Sequence, residues 1–457
     1  MPGRAAQLEA VASRVLRRLP PGVAGDVRVR AEGWTTMRFA NGHVHQPHVE
    51  ESRSISLRVA KEQRLGIATT TDTTSEGIAR VVRDAVALAS IAPVDRRVGP
   101  FPSDGRPRPV PYSRSTAALV PEAVGRLAER ALDAAGAGDD GYRVSGAVHA
   151  GAQTLAVANT SGCLVSGVRT ASQASVLVER PADDPPVSGW AEGSHWDAAR
   201  LDTAGIGREA LARMPRTAPK AAKPGAYRVL LGGAAAQEMV GFLGHLGFSG
   251  HGEEEGWSCL KSKRGTRFFP ENLTLADDGR SPMGLPNAFD EEGTPKRRLA
   301  LIDAGVVGPA VTDLVTAGHL GTPLTGHALP PESPFGEWGP VPTNMVLSSK
   351  DGASEEELAK ILGNGLIVTR FHYVRIVHPA RGVITGMTRD GTYRVRRGEV
   401  VEPVRNLRFT QSVLDALRAT EAFGRTRHRF SDERGVQSVT CPALVTARFH
   451  FTSATVF

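Results

Sequence analysis

The sequence predicts an α+β fold in two main parts, and three observations carry that prediction. Fifty glycines and thirty-one prolines in 457 residues imply many turns, hence a β-rich component. Strand-like runs cluster between amphipathic helices in the first half. The stretch from Pro215 to Gly225 has three prolines and no periodicity, which places the main boundary there.

The elements follow in order. From Ala5 to Leu19, apolar residues at helical spacing give a first helix, stopped by Pro20-Pro21-Gly22. Between Thr35 and Thr71 the texture changes to short strands divided by turns such as Asn41-Gly42, which reads as an antiparallel meander. Ser75 is read as the N-cap of a helix with Ile78, Val81, Val82, Ala85, Leu88 and Ala89 on one face. A proline-rich connection runs from Pro93 to Pro111. A helix starts at Pro121, strands resume between Ser145 and Glu179, and a helix near 201–214 ends this half. This half divides near residue 115, giving modules of 1–115 and 116–220. The second part, 225–457, opens with the strand Tyr227–Leu231 and a helix from about Ala234 to Leu246. Later helices are expected at 354–362 and 413–423, and a last strand at 444–451.

Composition excludes several classes. Hydrophobic residues at 40% and charged residues at 23% describe an ordinary globular chain. The formal charge of +7 is scattered, with its densest stretch at Arg425, Arg427, His428 and Arg429, and aromatic residues make up 5%. Specific nucleic-acid binding is therefore not expected. Cys163, Cys259 and Cys441 form neither a disulfide framework nor a zinc ribbon, and an odd count suits a reducing compartment. With no apolar signal segment and no run of eighteen apolar residues, a cytoplasmic location without membrane association is expected.

The helix after Tyr227–Leu231 is where chemistry is expected. It reads Gly232-Gly233-Ala-Ala-Ala-Gln237-Glu238, then Gly241-Phe242. This layout resembles the TldD/PmbA metallopeptidase family, whose active member carries His-Glu-x-x-x-His there. Gln237 falls on the first histidine, Glu238 on the glutamate, Gly241 on the preceding glycine and Phe242 on the second histidine. Met37-Arg-Phe-Ala-Asn-Gly42 is similar to the family's first module. The stretch from Phe289 to Arg297 resembles its Asp-x-Glu-Gly-x-Pro segment. Asn344, Gly365–Arg370 and Gly382–Gly386 resemble its later signatures, and the ending from Cys441 to Thr452 is closer to the TldE/PmbA type than to TldD.

The resemblance implies a β-rich, barrel-like second domain and a peptidase context. TldD-type members are zinc peptidases that degrade unstructured peptides or trim leader peptides, in complex with a TldE-type subunit. A zinc centre needs three or four converging N, S or O ligands. Glutamine is a poor ligand and phenylalanine is none. The family's late cysteine is also missing, since Ser431-Asp432-Glu433 stands in the matching stretch near Gly435-Val-Gln437. The resemblance thus implies a subunit with no cofactor of its own, degenerate positions Gln237, Glu238 and Phe242, and zinc in a TldD-type partner. Its role would be to complete the cleft for an unstructured peptide and to stabilise that partner.

Other residues offer alternatives. Arg370, His372, Arg375 and His378 form a basic cluster on a strand that could hold a peptide carboxylate. Asn344 joins Arg370, His372 and Arg375 as a peptide-binding candidate. His245, His251 and Glu253 are an imaginable metal set for an autonomous hydrolase, although their spacing fits no zinc signature. A binding module of gyrase-modulator type is the remaining reading. His43 and His45 share a strand face without a third ligand and read as sheet surface.

Overall fold

The structure, a computed structural model, describes residues 2–97, 99–103, 106–138, 141–181, 187–330, 333, 336–432 and 435–455. The first half contains α1 (Pro2–Leu16), β1 (Ala24–Ala40), β2 (His43–Lys61), β3 (Arg64–Thr70) and α2 (Ser75–Ile91). It continues with a short α3 (Arg114–Ala117), then α4 (Pro121–Ala134), β4 (Arg143–Asn159), β5 (Leu164–Arg180), β6 (Val187–His195) and α5 (Thr203–Ala212).

One antiparallel six-stranded sheet, in the order β3-β2-β1-β4-β5-β6, organises these elements. β1 pairs with β4 from Asp26 to Ala40, so the strands on both sides of residue 115 belong to one sheet. Asn41 and Gly42 both have positive φ, which is the conformation a tight β1–β2 hairpin requires. Along β1, alternation sends Val27, Val29, Ala31, Met37 and Phe39 to one face. That face carries two apolar clusters, one under α1 and α2 and one under α4 and α5.

Two details differ from the pattern reading. Thr74, not Ser75, caps α2, because its hydroxyl accepts from the Gly77 amide at 3.2 Å. Leu88 is 44% exposed, at the edge of the helix's apolar face.

The opposite face of β1 presents Asp26, Arg28, Arg30 and Glu32, all buried. Arg28 and Arg30 reach partners about 260 residues away. Arg28 donates through Nε to the Glu291 carbonyl at 2.5 Å, and Arg30 bonds the Glu291 carboxylate at 2.6 Å. Arg58 on β2 bridges Asp26 at 2.8 Å and Glu292 at 2.8 Å. Asp290 shapes the turn by accepting from the backbone amides of Glu292, Thr294 and Ala328, with Gly293 at φ 79°. The Asp-x-Glu-Gly-x-Pro segment is thus an ionic latch between the two halves.

The second half opens with β7 (Gly225–Leu231), α6 (Gly233–Phe248) and α7 (Gly250–Glu254). Then come β8 (Thr274–Asp278), β9 (Arg298–Asp303), β10 (Val306–Val307), α8 (Leu314–Leu320), β11 (Asn344–Ser348), β12 (Gly352–Ala353) and α9 (Glu355–Leu362). The remainder is β13 (Gly365–His378), β14 (Val383–Arg396), β15 (Glu399–Pro403), β16 (Leu407–Ser412), α10 (Val413–Arg418), β17 (Thr420–Ser431) and β18 (Ser438–Ala454). β7 pairs with β13, β13 with β14, β14 with β16 and β16 with β18. β18 returns to β7, so five strands close a ring. The barrel-like domain inferred from the resemblance is therefore present, within an overall α+β architecture.

The expected helix at 413–423 stops at Arg418, because Thr420–Phe423 pair with β18 instead. Cross-strand packing overrides local propensity there. Among the described residues no helix is long and apolar enough to cross a membrane.

Candidate functional site

β7 delivers α6 into the core. Val229 and Leu231 are fully buried between β13 and β18, and the Gly232 amide donates to the Val368 carbonyl at 2.9 Å. A side chain at Gly233 would come within 3.0 Å of the His428 ring, so glycine lets the helix start tight against β17. Of the sixteen residues of α6, eleven are buried. The other five are Gln237, Glu238, Gly241, Phe242 and His245, at helical spacings that form one stripe. On an ideal helix Gln237 and Phe242 stand about 140° apart, at the stripe's two margins. Glu238 and His245 lie nearer its middle. A Cβ at Gly241 would meet nothing within 4 Å, so the stripe looks onto open space there.

The stripe meets groups from both halves of the molecule. Burial pushes the Glu238 carboxyl up to about 7, against the pull of Arg370 and Arg375. Burial also raises Glu192 on β6 to about 7, with Arg370 opposing the shift and Glu238 adding like-charge repulsion. Arg370 lies over the Trp190 ring at 4.3 Å and bonds Asp390 through Nε at 2.5 Å. Asp390 also accepts from Ser188 at 2.5 Å. Glu192 lines a cleft of about 560 Å³ between β6 and β17, together with His428 and Arg429. Arg429 bonds the carbonyls of Ser194, Pro282 and Met283, tying the cleft's two walls together.

The structure therefore gathers Glu238, Arg370 and Arg375, and adds Glu192 and Trp190, which the sequence reading missed. Those two carry no motif, and the strand that holds them was not recognised. His372 is half-buried next to Tyr373, and burial lowers its pKa, with Arg389 and Arg370 adding to the effect.

Asn344 requires correction as a peptide-binding candidate. It is 1% exposed, its amide donates to the Asp278 carbonyl at 2.6 Å, and its oxygen accepts from Ser438 and from the Leu285 amide. It holds β11 to neighbouring segments.

The set His245, His251 and Glu253 does not converge. His245 meets Gln437, His251 packs edge-on to Trp257, and Glu253 is bonded to Arg264 at 2.6 Å. Burial lowers His245 to about 4, so its ring is neutral at physiological pH. His43, His45 and His48 are exposed on β2.

The residues present do not fit a zinc centre. Gln237 and Phe242 hold the margins of the stripe, and Gln437 engages the one imidazole on it. Asp432 uses its oxygens to accept from the Val436 and Gln437 amides, and Glu433 lies outside the described residues. Cys441 is buried beneath the start of α6, and burial pushes its thiol far up. Among the described residues no group of three or more His, Cys, Asp or Glu side chains is placed to hold a metal.

Comparison with known proteins gives this geometry its context. Residues 224–453 match the PmbA/TldA metallopeptidase C-terminal domain, and residues 25–89 match PmbA/TldA metallopeptidase domain 1. A metalloprotease of Methanothermobacter thermautotrophicus is 25% identical over 192 residues, 41% of each chain. A zinc metalloprotease TldD homolog of Saccharolobus solfataricus is 26% identical over 211 residues, 44% of each chain. The aligned regions thus span under half the length of these curated relatives.

Among solved structures, TldE from Thermococcus kodakarensis superposes with a TM-score of 0.85 at 17% identity, over 98% of this chain and all of that one. A candidate modulator of a DNA gyrase from Thermotoga maritima gives 0.82 at 20% identity, over 98% and 99%. At these identities the likeness is one of fold. Taken with the domain matches, of which the C-terminal one alone covers just over half of the sequence, it is clear that the chain belongs to the TldD/PmbA metallopeptidase family.

Proposed function

We propose that this chain is a TldE-type, non-catalytic subunit of a heteromeric TldD/TldE zinc metallopeptidase acting on unstructured peptides. In this reading it forms one wall of the substrate cleft and stabilises a TldD-type partner that bears the zinc. The observation that carries the proposal is the α6 stripe: Glu238 remains, while an amide and a phenyl ring stand where imidazoles are needed. In a zinc peptidase the carboxylate serves as general base toward a water whose pKa the bound metal has lowered. Nothing on this stripe takes that metal's part. Burial dominates the raised pKa of Glu238 and outweighs the opposing pull of Arg370 and Arg375.

Two measurements test the reading. Co-expressed with a TldD-type paralogue, the chain is expected to elute as a stable complex, since obligate interfaces commonly bury more than about 2,000 Å². Expressed alone, it is expected to hold sub-stoichiometric zinc by elemental analysis and to leave unfolded peptides uncut. Stoichiometric zinc that survives a chelator wash, or separate elution at micromolar concentration, would overturn it. The restored variant Gln237→His with Phe242→His is expected to bind zinc weakly and to remain inactive, because no ligand cluster is in place among the described residues to complete the site. Efficient cleavage by that variant, abolished by adding Glu238→Gln, would mean that the scaffold had lost its ligands alone.

A further inference from the structure

Away from the α6 cleft, a concavity of about 500 Å³ lies between the 93–111 connection and the segment around β9. Its walls are Arg106, Arg108, Arg280, Lys296, Arg297 and Arg298, with Pro295. Among the described residues, none that lines it is acidic. Among the described residues, Arg106, Arg108, Arg297 and Arg298 have no carboxylate within ion-pair distance. Arg280 has a buried Nε without a hydrogen-bond partner, and its nearest carboxylate oxygen, on Asp278, is 3.8 Å away. Lys296 is spent internally, donating to the Gly326 carbonyl and the Thr343 hydroxyl at 2.7 Å each. Five guanidinium groups around one hollow, in a chain whose formal charge is only +7, concentrate the positive field at this point.

A second hollow adjoins the first. It measures about 250 Å³ and is walled mainly by apolar groups such as Pro107, Leu155, Val168 and Phe289, with the polar Gln153 and Arg169 among them. Arg108 lines both. A small free anion would use the basic hollow and leave the apolar one unfilled. An extended peptide advances about 3.3 Å per residue, so acidic and apolar side chains a few positions apart can reach both.

From this pairing we infer that the two hollows form a docking groove for an unstructured peptide segment in which acidic residues neighbour an apolar one. Arginine suits the task because its planar fork grips carboxylates bidentately. The inference rests on the peptide-handling role proposed above and names the substrate class that this chain would select.

The test uses the full chain and a fluorescein-labelled unstructured peptide carrying an Asp/Glu run beside Leu and Phe. Fluorescence anisotropy is expected to show binding that weakens steeply with salt. The double variant Arg297→Ala/Arg298→Ala, whose two side chains are exposed, is expected to bind about tenfold more weakly. Arg106→Ala provides a second variant from the other wall, and circular dichroism checks that both fold. A peptide with Lys in place of the acids should not bind, and one with Ser in place of Leu and Phe should bind several-fold more weakly.

Equal affinity for both variants and the unaltered chain would overturn the groove. So would full competition by inorganic polyphosphate or a DNA duplex combined with indifference to the Ser replacement, which would leave a plain anion site. Co-elution of the same variants with a TldD-type subunit is measured in parallel. Lost complex formation in the unaltered chain would refute the subunit role, whereas lost peptide selectivity with an intact complex would refute the groove alone.

Discussion

Arg58→Ala is expected to lower the unfolding free energy by about 3–5 kcal/mol, the usual loss when one partner of a buried ion pair is removed. Arg58 is 5% exposed and its guanidinium bridges Asp26, 1% exposed, to Glu292, also 1% exposed. Without it, two carboxylates are left in the contact between the halves with a cation gone. Burial already pushes the Glu292 carboxyl up, and Arg58 is the group that pulls it back. The urea midpoint should fall, and proteolytic cutting in the 215–224 connection should accelerate as the latch opens. Arg80→Ala is the control. It breaks an ion pair with Asp72 whose side chains are 56% and 35% exposed, and such solvent-screened pairs contribute little. Equal effects of the two substitutions would show that the latch is not a stabilising contact.

Glu238→Gln is expected to stabilise the fold at high pH and to change little at low pH. In the folded chain Glu238 titrates near 7, against 4.5 for an unperturbed carboxyl. Between those values the folded state holds more protons than the unfolded state, so stability falls as pH rises. The carboxyl's contribution is complete below 4.5 and lost by the time pH passes 7. Glutamine mimics the protonated form throughout. At pH 8 the variant should therefore be more stable by about 3 kcal/mol, and at pH 4 nearly equal to the parent. Glu238 adds to the raised pKa of Glu192, so Glu238→Gln should lower the apparent pKa of Glu192 in a carboxyl NMR titration. A variant less stable than the parent at pH 8 would mean that Arg370 and Arg375 hold the ionised form, reversing the assignment.

The sequence was most readable where a local rule decides the outcome. Asn41-Gly42 marks a hairpin because both residues must take positive φ, and α4 begins at Pro121 because proline is tolerated at a first helical turn. The degenerate helix was readable because its spacing is a local property of one segment. Residues whose roles depend on distant partners were not. Asp26, Arg28, Arg30 and Glu32 look like a solvated strand face, and only the turn at Asp290–Gly293 makes that face interior. β4 runs unbroken from Arg143 to Asn159, although its inward residues pass from one apolar cluster to the other along its length. Glu192 enters the site only because β6 reaches the barrel half, a contact no local pattern encodes. Asn344 stood out as a signature residue, but its role is to satisfy backbone groups between segments that meet only in the folded chain.

Barrel closure has a consequence for the order in which the protein is made. The ring closes where Leu231 of β7 meets Leu444 of β18, so its first and last strands are separated by most of the second half of the chain. Such distant pairing carries a large loop-closure entropy and slows folding. On the ribosome, α6 must emerge long before the strand that covers it, and its apolar face, including Met239, Leu243 and Phe248, waits unshielded in the meantime. The latch-bearing sheet of the first half is complete by His195 and can form earlier. The nascent barrel half is therefore the stage most exposed to chaperone capture and aggregation.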